Sequence, residues 1–236
     1  MNNSKGLLII LSGPSGAGKD TVLKELLAHN DKVRVSISAT TRQPRQGEEN
    51  GRDYHFISRE QFETLIQRDG VLEYAEYCGN FYGTPRAQVE AWLDEGLDVV
   101  LEIEVQGAKK VMAKCPEAVS VFILPPSFAV LEKRLRRRAT DSEEAVQKRL
   151  AAARGEILQA ADYDYMVVND ALEDCVSDLE AVLQGEKCRS ARAGNLIEEV
   201  LKNEYRQSVN DKKSSETGTL FHHHIPGYQP ALRAVR

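Results

Sequence analysis

Short, continuously apolar runs recur along the chain and alternate with segments of helical periodicity. Four such runs predict buried strands, at 6–11 (GLLIIL), 98–103 (DVVLEI), 119–124 (VSVFIL) and 165–169 (YMVVN). Weaker patterns predict strands at 33–37 and 71–77, a turn into a strand at 79–84, and helices at about 21–29, 59–69, 86–95, 127–160 and 171–184. Buried strands that alternate with helices are typical of an α/β protein whose parallel sheet is flanked by helices.

The pattern changes after Gly185. Residues 190–206 fit an amphipathic helix, and the remainder of the chain is polar or rich in Pro and Gly. His222–His224 are potential metal ligands, but adjacent side chains do not converge easily on one ion, and a flexible tail is the simpler interpretation. We therefore expect one domain at 6–185, followed by a C-terminal helix and a flexible tail within 186–236.

Composition and charge narrow the class of protein. The 31 Lys and Arg residues face 36 Asp and Glu residues, a formal net charge of −5, which disfavours a non-specific nucleic-acid binder. The longest apolar run near the start, Leu7–Leu11, is shorter than a signal peptide or a membrane span requires. We therefore expect a soluble cytoplasmic protein with no nucleic-acid or membrane partner.

The cysteines do not indicate a metal site or a redox pair. The four cysteines are far apart, and no C-x-x-C spacing occurs. We expect ordinary reduced thiols, as in a reducing cytosol, at Cys78, Cys115, Cys175 and Cys188.

A glycine-rich segment separates the first predicted strand from the first predicted helix. It consists of Gly13, Pro14, Ser15, Gly16, Ala17, Gly18, Lys19 and Asp20. This nearly fits G-x-x-x-x-G-K-[ST], the P-loop pattern. Backbone N–H groups of such a loop turn toward phosphate oxygens, the helix start near Thr21 adds partial positive charge, and Lys19 reaches the β- and γ-phosphates. Strand, loop and helix together predict an ATP-binding site.

Asp20 stands where the P-loop pattern has Ser or Thr, the usual contact of Mg²⁺. A carboxylate is a good ligand for Mg²⁺, directly or through water, although it adds negative charge near the nucleotide. Thr21 offers a hydroxyl about 100° further around the helix. We expect a Mg²⁺-dependent site with Asp20 as the metal contact.

An arginine-rich loop forms the second candidate site. In residues 38–56 (SATTRQPRQGEENGRDYHF), Arg42 and Arg45 lie three positions apart around Pro44. Two guanidinium groups on a proline-stiffened turn suit an oxyanion such as a phosphate monoester, and Tyr54 adds a hydroxyl donor.

These motifs together resemble the guanylate kinases, which use ATP to convert GMP to GDP. The resemblance runs from about residue 6 to 183 and depends on six segments in order: GPSGAGK, SATTRQPRQGEENGRDYHF, LEYAEYCGNFYGT, LEIEVQG, KRLRRRAT…QKRL and VVND. It implies a mixed GMP-binding insert at 38–95, a helical lid at 127–160, and a P-loop NTPase-type core at 6–37, 96–126 and 161–185.

The resemblance implies a set of acceptor contacts. The GMP phosphate would meet Arg42, Arg45, Tyr54 and Tyr82. Glu73 would recognise guanine, whose adjacent N1–H and N2–H₂ donors suit one carboxylate, and the hydroxyls of Ser38 and Thr84 would donate to O6. Adenine lacks this edge, and such mismatches discriminate by roughly 10⁴-fold or more. None of these contacts needs a 2′-hydroxyl, so dGMP is a further expected substrate.

The resemblance also assigns residues to the donor and the lid. Lys19, Arg138 and Arg149 would stabilise the transferring phosphoryl group, as arginines do in other phosphoryl transferases. Arg134 and Asn169 would lie near the ATP base.

Two carboxylates are predicted where the strand 98–103 meets the ligand crevice. Alternation places Glu102 and Glu104 on one face, and Gln106 and Gly107 would complete a turn. Glu104, at a position that is usually Asp in the family, is the preferred contact on the GMP side.

Two other functions stay open on the sequence alone. A catalytically inactive scaffold module of this fold commonly lacks the P-loop lysine, whereas Lys19 is present beside Arg42, Arg45 and Glu73. A kinase for ribose bisphosphate can also read GKD but would not need Glu73. The favoured interpretation is an ATP-dependent GMP kinase of purine nucleotide metabolism that takes ATP and GMP or dGMP, as a monomer or a homodimer.

Overall fold

The computed structural model describes residues 5–137, 142–194 and 196–202 of the chain. Contacts divide the chain after Arg192. The first unit contains β1 (Leu8–Ser12), α1 (Lys19–His29), β2 (Val33–Val35), β3 (Ala39–Thr40), β4 (His55–Phe56), α2 (Arg59–Gln67), β5 (Val71–Tyr77), β6 (Asn80–Pro85), α3 (Arg86–Asp94), β7 (Asp98–Glu102), α4 (Val105–Lys114), β8 (Val119–Leu124), α5 (Phe128–Arg137), α6 (Glu143–Leu158), β9 (Tyr165–Val168) and α7 (Leu172–Lys187).

The second unit is described only in part. Residues 196–202 are helical, in agreement with the predicted helix at 190–206, and His222–His224 lie outside the described residues. Within the described ranges, no helix is both long and apolar enough to cross a membrane.

Five parallel strands form the central sheet, in the order β2-β7-β1-β8-β9. Leu7, Ile9 and Leu11 pack into a core shared with α1 and α7, and Leu8 and Ile10 pack into a second core shared with α3 and α4. Because β1 is covered on both faces, its residues Leu8–Leu11 are all apolar rather than alternating, and only Ser12 at its end is polar. The predicted α/β fold with a parallel sheet between helices is confirmed.

Residues 39–85 contain a second sheet of four strands, in the order β4-β3-β6-β5. β3 is parallel to β4, and the pairs β3–β6 and β5–β6 are antiparallel, so this sheet is mixed as expected. Its core includes Phe62 of α2, which stacks on Phe81 with ring centroids 5.2 Å apart. β3 and β4 were not predicted, because two residues are too few to display a period.

Helices α5 and α6 form a hairpin with its own apolar contacts, through Leu131, Leu135, Val146, Leu150 and Ala153. Ser142 caps α6, since its hydroxyl accepts a hydrogen bond from the Ala145 N–H at 3.3 Å. The predicted catalytic Arg138 lies outside the described residues.

Two boundaries differ from the prediction where they affect the site. α1 begins at Lys19 rather than near Thr21, so the P-loop lysine belongs to the first helical turn. β7 ends at Glu102, and Glu104 is the N-terminal cap residue of α4, with φ −68° and ψ 158°. The prediction that both carboxylates end one strand is therefore wrong, and residues 106–107 are helical rather than part of a turn.

Helix α7 continues past the expected end near Gly185, and charged contacts follow it. Glu186 is buried, accepts a hydrogen bond from the Tyr165 hydroxyl at 2.6 Å, and pairs with Arg189 at 3.2 Å and Arg192 at 3.4 Å. A buried carboxylate needs such partners, because burial without them costs several kcal/mol (about 3–5). The segment up to Arg192 is thus tied to the core.

Asp98 at the start of β7 is a second buried carboxylate, and its ion pair allows the contribution of such partners to stability to be tested. Its fully buried carboxylate accepts the Leu7 N–H at 3.0 Å and lies 2.6 Å from Lys187 Nζ. Lys187→Met should lower the free energy of unfolding by about 1–2 kcal/mol, because the carboxylate loses its counter-charge while Lys187 is partly screened by solvent. In thermal unfolding this corresponds to a midpoint about 3–6 °C lower.

The matched control for this variant is Lys109→Met. Lys109 pairs with Asp162 at 3.0 Å, but about half of each side chain is exposed (47% and 56%). Such surface pairs contribute about 0–1 kcal/mol. Equal losses of unfolding free energy in Lys187→Met and Lys109→Met would contradict a larger contribution from the pair with the buried Asp98 carboxylate.

Candidate active site

The P-loop connects β1 to α1, and its backbone contacts the side chain of Lys19 at the start of α1. Lys19 Nζ donates to the Gly13 carbonyl at 2.9 Å. Gly18 has a φ of +89°, and a Cβ at this position would lie 2.5 Å from Asn169 Nδ2. A side chain at residue 18 would therefore be both strained and blocked, which explains the glycine.

Asn169 and Arg134, the two residues expected near the ATP base, form hydrogen bonds that hold the P-loop in place. Asn169 Nδ2 donates to the Ala17 carbonyl at 2.7 Å, and Arg134 Nη2 donates to the Asn169 carbonyl at 3.0 Å. Both side chains line a cavity beside Gly16, Gly18 and Thr21. Arg134 and Asn169 thus lie together at the loop, and they position its backbone in addition to facing this cavity.

A second cavity, of about 290 Å³, lies on the inner side of the P-loop. Besides the glycines and Ser15 of the loop, it is lined by the charged side chains of Lys19, Asp20, Glu102, Glu104 and Glu156. Burial, together with the neighbouring Asp20, raises the pKa of Glu102 to about 7. Burial and the charge of Glu104 also raise the pKa of Glu156.

This carboxylate pair suits a divalent cation. Asp20 and Glu102 line the same cavity, and the effect of Asp20 on the pKa of Glu102 shows that the two carboxylates are close neighbours. Oxygen ligands of this kind fit Mg²⁺. In the described part of the chain, no cluster of three or more His, Cys, Asp or Glu residues could hold a metal by itself. A metal here would therefore need further ligands from the nucleotide phosphates or from water.

Three of the four predicted phosphate contacts converge in the insert. The Arg42 guanidinium lies 5.4 Å from the ring centroid of Tyr54, and the Tyr54 and Tyr82 rings meet edge to face at 6.2 Å. The hydrogen bonds to Glu48 raise the pKa of Arg42. Arg45 belongs to the same loop, and its backbone N–H donates to Glu48 at 2.7 Å.

The candidate base-reading carboxylate lies deeper in the insert. Glu73 is 8% exposed, and its Oε1 accepts the Thr84 hydroxyl at 3.0 Å. Burial raises the pKa of Glu73, against the lowering effects of Thr84 and Lys110. The hydroxyl proton of Thr84 is engaged by Glu73, so Thr84 positions the carboxylate and would have to turn to donate to a base. Ser38 directly precedes β3, whose Ala39 pairs with Gly83 beside Thr84, and it lines a cavity of about 500 Å³ with Tyr54 and Glu102.

Comparison with known protein families identifies the family to which the chain belongs. A sequence profile described as guanylate kinase matches residues 5–186. The chain belongs to the guanylate kinase family. It is 51% identical over 192 residues to the guanylate kinase of Desulfitobacterium hafniense, covering 81% of this chain and 96% of the relative. It is 50% identical over 202 residues to that of Thermus thermophilus, covering 86% and 90%.

A solved structure agrees with this assignment. The crystal structure of guanylate kinase from Anaplasma phagocytophilum is 37% identical and superposes with a TM-score of 0.63, covering 80% of this chain and 90% of that chain. The family implied by the six sequence motifs is confirmed, and with it the class of enzyme, a nucleoside monophosphate kinase and thus a transferase.

Two residues of this family member were missed by sequence reasoning. Glu48 binds Arg42 and the backbone of Arg45, and Glu156 of α6 faces the P-loop cavity. Glu48 carried a local signal, a carboxylate three residues after Arg45 in a glycine turn, whereas Glu156 carried none, because the cavity is formed by distant segments. Gly107 was expected in a turn, but it lies in α4 against Glu73, a contact that the sequence did not indicate. Arg149, predicted to be catalytic, is half-buried on α6 and does not line the P-loop cavity, where α6 contributes Glu156 instead.

Proposed function

We propose that this guanylate kinase family member transfers the γ-phosphoryl group of ATP to GMP or dGMP, yielding ADP with GDP or dGDP. One observation carries the proposal: the first turn of α4 borders both candidate sites. Its cap residue Glu104 lines the P-loop cavity, and at Gly107 a Cβ would lie 3.1 Å from Glu73 Oε2. A donor phosphate at the P-loop and an acceptor base at Glu73 would therefore be held by one short rigid element.

On the donor side, ATP phosphates would bind the P-loop backbone, from Gly13 to Thr21, with Lys19 as the cation. The aligned N–H groups at the start of α1 favour a negatively charged ligand. Arg134 and Asn169, together at the outer cavity, would border the adenine end.

Mg²⁺ is the proposed metal partner of ATP, with Asp20 as its contact and Glu102 beside it. When bound, the ion neutralises phosphate charge. Asp20 and Glu102 would both face the ion, whose positive charge would offset the repulsion between the two carboxylates.

On the acceptor side, Arg42, Arg45, Tyr54 and Tyr82 would bind the GMP phosphate. Glu73 would accept from guanine N1–H and N2–H₂, with Thr84 and Ser38 as the hydroxyl contacts and Glu104 at the boundary with the donor. A GMP phosphate oxygen attacks the γ-phosphorus in line, so no protein nucleophile is required. Holding the two phosphates in contact is the main contribution of the protein.

The proposed lid is the segment 127–160, which includes α5 and α6, and the proposed GMP-binding region is 38–95. Closure would bring Arg149 and Arg138 to the transferring group, stabilise its charge and exclude water that would otherwise hydrolyse ATP. The proposed setting is purine nucleotide metabolism in the cytoplasm, with small nucleotides as the partners and a monomer or a homodimer as the assembly.

Substrate choice tests the proposal directly. An ADP-release assay with MgATP should show turnover with GMP and dGMP, and background rates with AMP, CMP, UMP and ribose 1,5-bisphosphate. Ribose bisphosphate as the preferred acceptor would favour the sugar-phosphate kinase. Tight GMP binding by calorimetry without turnover would favour a binding module.

The raised pKa of Glu73 predicts a specific pH dependence. A protonated carboxyl cannot accept from both guanine donors, so kcat/KM for GMP should fall as the pH drops through the raised pKa of Glu73 in the free enzyme. The GMP phosphate itself titrates near pH 6 (about the value of other phosphate monoesters). The titration of the GMP phosphate affects the Glu73→Gln variant in the same way as the parent protein. The difference between the two pH profiles therefore isolates the titration of Glu73. Superimposable profile shapes would contradict this prediction.

A further inference from the structure

Glu48 closes the arginine loop and contacts both of its arginines. Its two carboxylate oxygens accept from Nη1 and Nη2 of Arg42, each at 2.9 Å. The oxygen that faces Nη1 also accepts the backbone N–H of Arg45, at 2.7 Å. Gly47, with a φ of +88°, makes the turn that returns the chain to this position, as the third residue of a 45–48 turn.

These bonds use one edge of the Arg42 guanidinium and leave the other available. Of its five N–H groups, two bind Glu48, and the second N–H of Nη1 donates to the Gln43 carbonyl at 2.8 Å. Nε–H and the second N–H of Nη2 remain, and they lie side by side on the lateral edge. Tyr82, also an expected phosphate contact, lies edge to face against Tyr54, whose ring centroid is 5.4 Å from the same guanidinium. A lateral edge of this kind matches two oxygens of a phosphate.

We propose that Glu48 is a positioning residue for the acceptor phosphate: it fixes Arg42 so that the Nε–Nη2 edge faces the phosphate monoester, and it fixes the backbone of Arg45. This inference rests on the proposed function. An arginine side chain that is already immobilised loses less conformational freedom when it binds an anion.

Glu48 has an opposing effect, since its charge offsets that of Arg42 and disfavours an anion. The Arg42 side chain is 15% exposed and that of Glu48 is 20% exposed, so solvent screens part of this charge. Orientation is therefore the larger effect. The two effects predict opposite outcomes when the carboxylate is replaced by an amide.

Glu48→Gln is the central test, measured with MgATP in steady-state kinetics. The amide presents N–H donors to the guanidinium and breaks the paired hydrogen bonds, so KM for GMP should rise by about tenfold, the equivalent of one charge-assisted hydrogen bond. KM for ATP should stay within about twofold. Glu48→Asp, which keeps the charge but is too short to reach both partners, should give an intermediate rise.

The matched control is Glu49→Gln in the same loop. The Glu49 side chain is 68% exposed and pairs only with Arg52, at 2.7 Å, among the contacts of the described residues. Its KM for GMP should equal that of the parent protein. Combining Glu48→Gln with Arg42→Lys should add little to the effect of Arg42→Lys alone, because Glu48 acts through Arg42.

Calorimetry separates a positioning role from a general loss of structure. Glu48→Gln should weaken GMP binding but leave the affinity for guanosine, which has no phosphate, unchanged. Equal losses for GMP and guanosine, or an unchanged or lower KM for GMP in both Glu48 variants, would overturn the proposal. If the parent protein does not phosphorylate GMP, the proposed function fails, and the GMP and guanosine affinities still test Glu48 separately.

Discussion

Lys19→Met should fold normally and lose turnover by about 100-fold or more, the usual effect of removing one positioned charge from a phosphoryl-transfer site. The lysine is the cationic side chain of the P-loop cavity, where Asp20, Glu102, Glu104 and Glu156 supply negative charge. Without it, no cationic side chain remains among the described residues that line this cavity, and the carboxylates would repel the ATP phosphates. Its hydrogen bond to the Gly13 carbonyl is a single contact, so the fold should survive.

Lys24→Met provides the matched control, because it removes the same charge from the same helix at an exposed position. Circular dichroism and thermal unfolding should be close to those of the parent protein for both variants. Initial rates with saturating MgATP and GMP then compare turnover. A Lys19→Met variant that retains more than a tenth of the parent turnover would refute the assigned role.

The parts of the fold that were predictable are those whose sequence carries a period or a continuous run. β1, β7 and β8 are buried strands with few polar residues, so their runs located them. The run at 165–169 also located β9, but its prediction as a buried strand is wrong, because β9 lies at the edge of the sheet and Met166 and Val168 are exposed. α4 was missed for two reasons. Its cap residue, Glu104, lies only two residues after the end of β7, and Gln106 and Gly107 were interpreted as part of a turn. The start of α1 was placed late, since Lys19 gives no apolar signal.

The same limit applies to the site. The motifs predicted Lys19 and Arg42, because glycine turns and clustered arginines are visible over a few residues, and Glu73 was predicted through the resemblance to the family. They did not predict Glu156 or the contact of Gly107 with Glu73, which depend on what distant elements bring together. Sequence reasoning therefore predicted residues for the donor site and for the acceptor site, but it did not predict the first turn of α4, which borders both.

Base recognition is the part of the proposal on which substrate choice depends. Glu73→Gln should raise KM for GMP by about 100-fold, because one charge-assisted hydrogen bond is lost and an amide N–H₂ then faces a guanine donor, together about 3 kcal/mol. KM for ATP should change by less than about twofold, since Glu73 is absent from both P-loop cavities. Stability should not fall, because the amide oxygen can still accept from Thr84 and the cost of burying a charge disappears.

Two comparisons make this test specific to base recognition. Glu76→Gln alters an exposed carboxylate on the same strand, 3.6 Å from Arg59, and should leave KM for GMP unchanged. Inosine monophosphate keeps N1–H but lacks the 2-amino group, so the parent protein should prefer GMP over it strongly, and Glu73→Gln should narrow that preference. Equal effects of Glu73→Gln on GMP and ATP, or an unchanged preference for GMP over inosine monophosphate, would mean that guanine is read by other groups, with Ser38 and Thr84 the next to test.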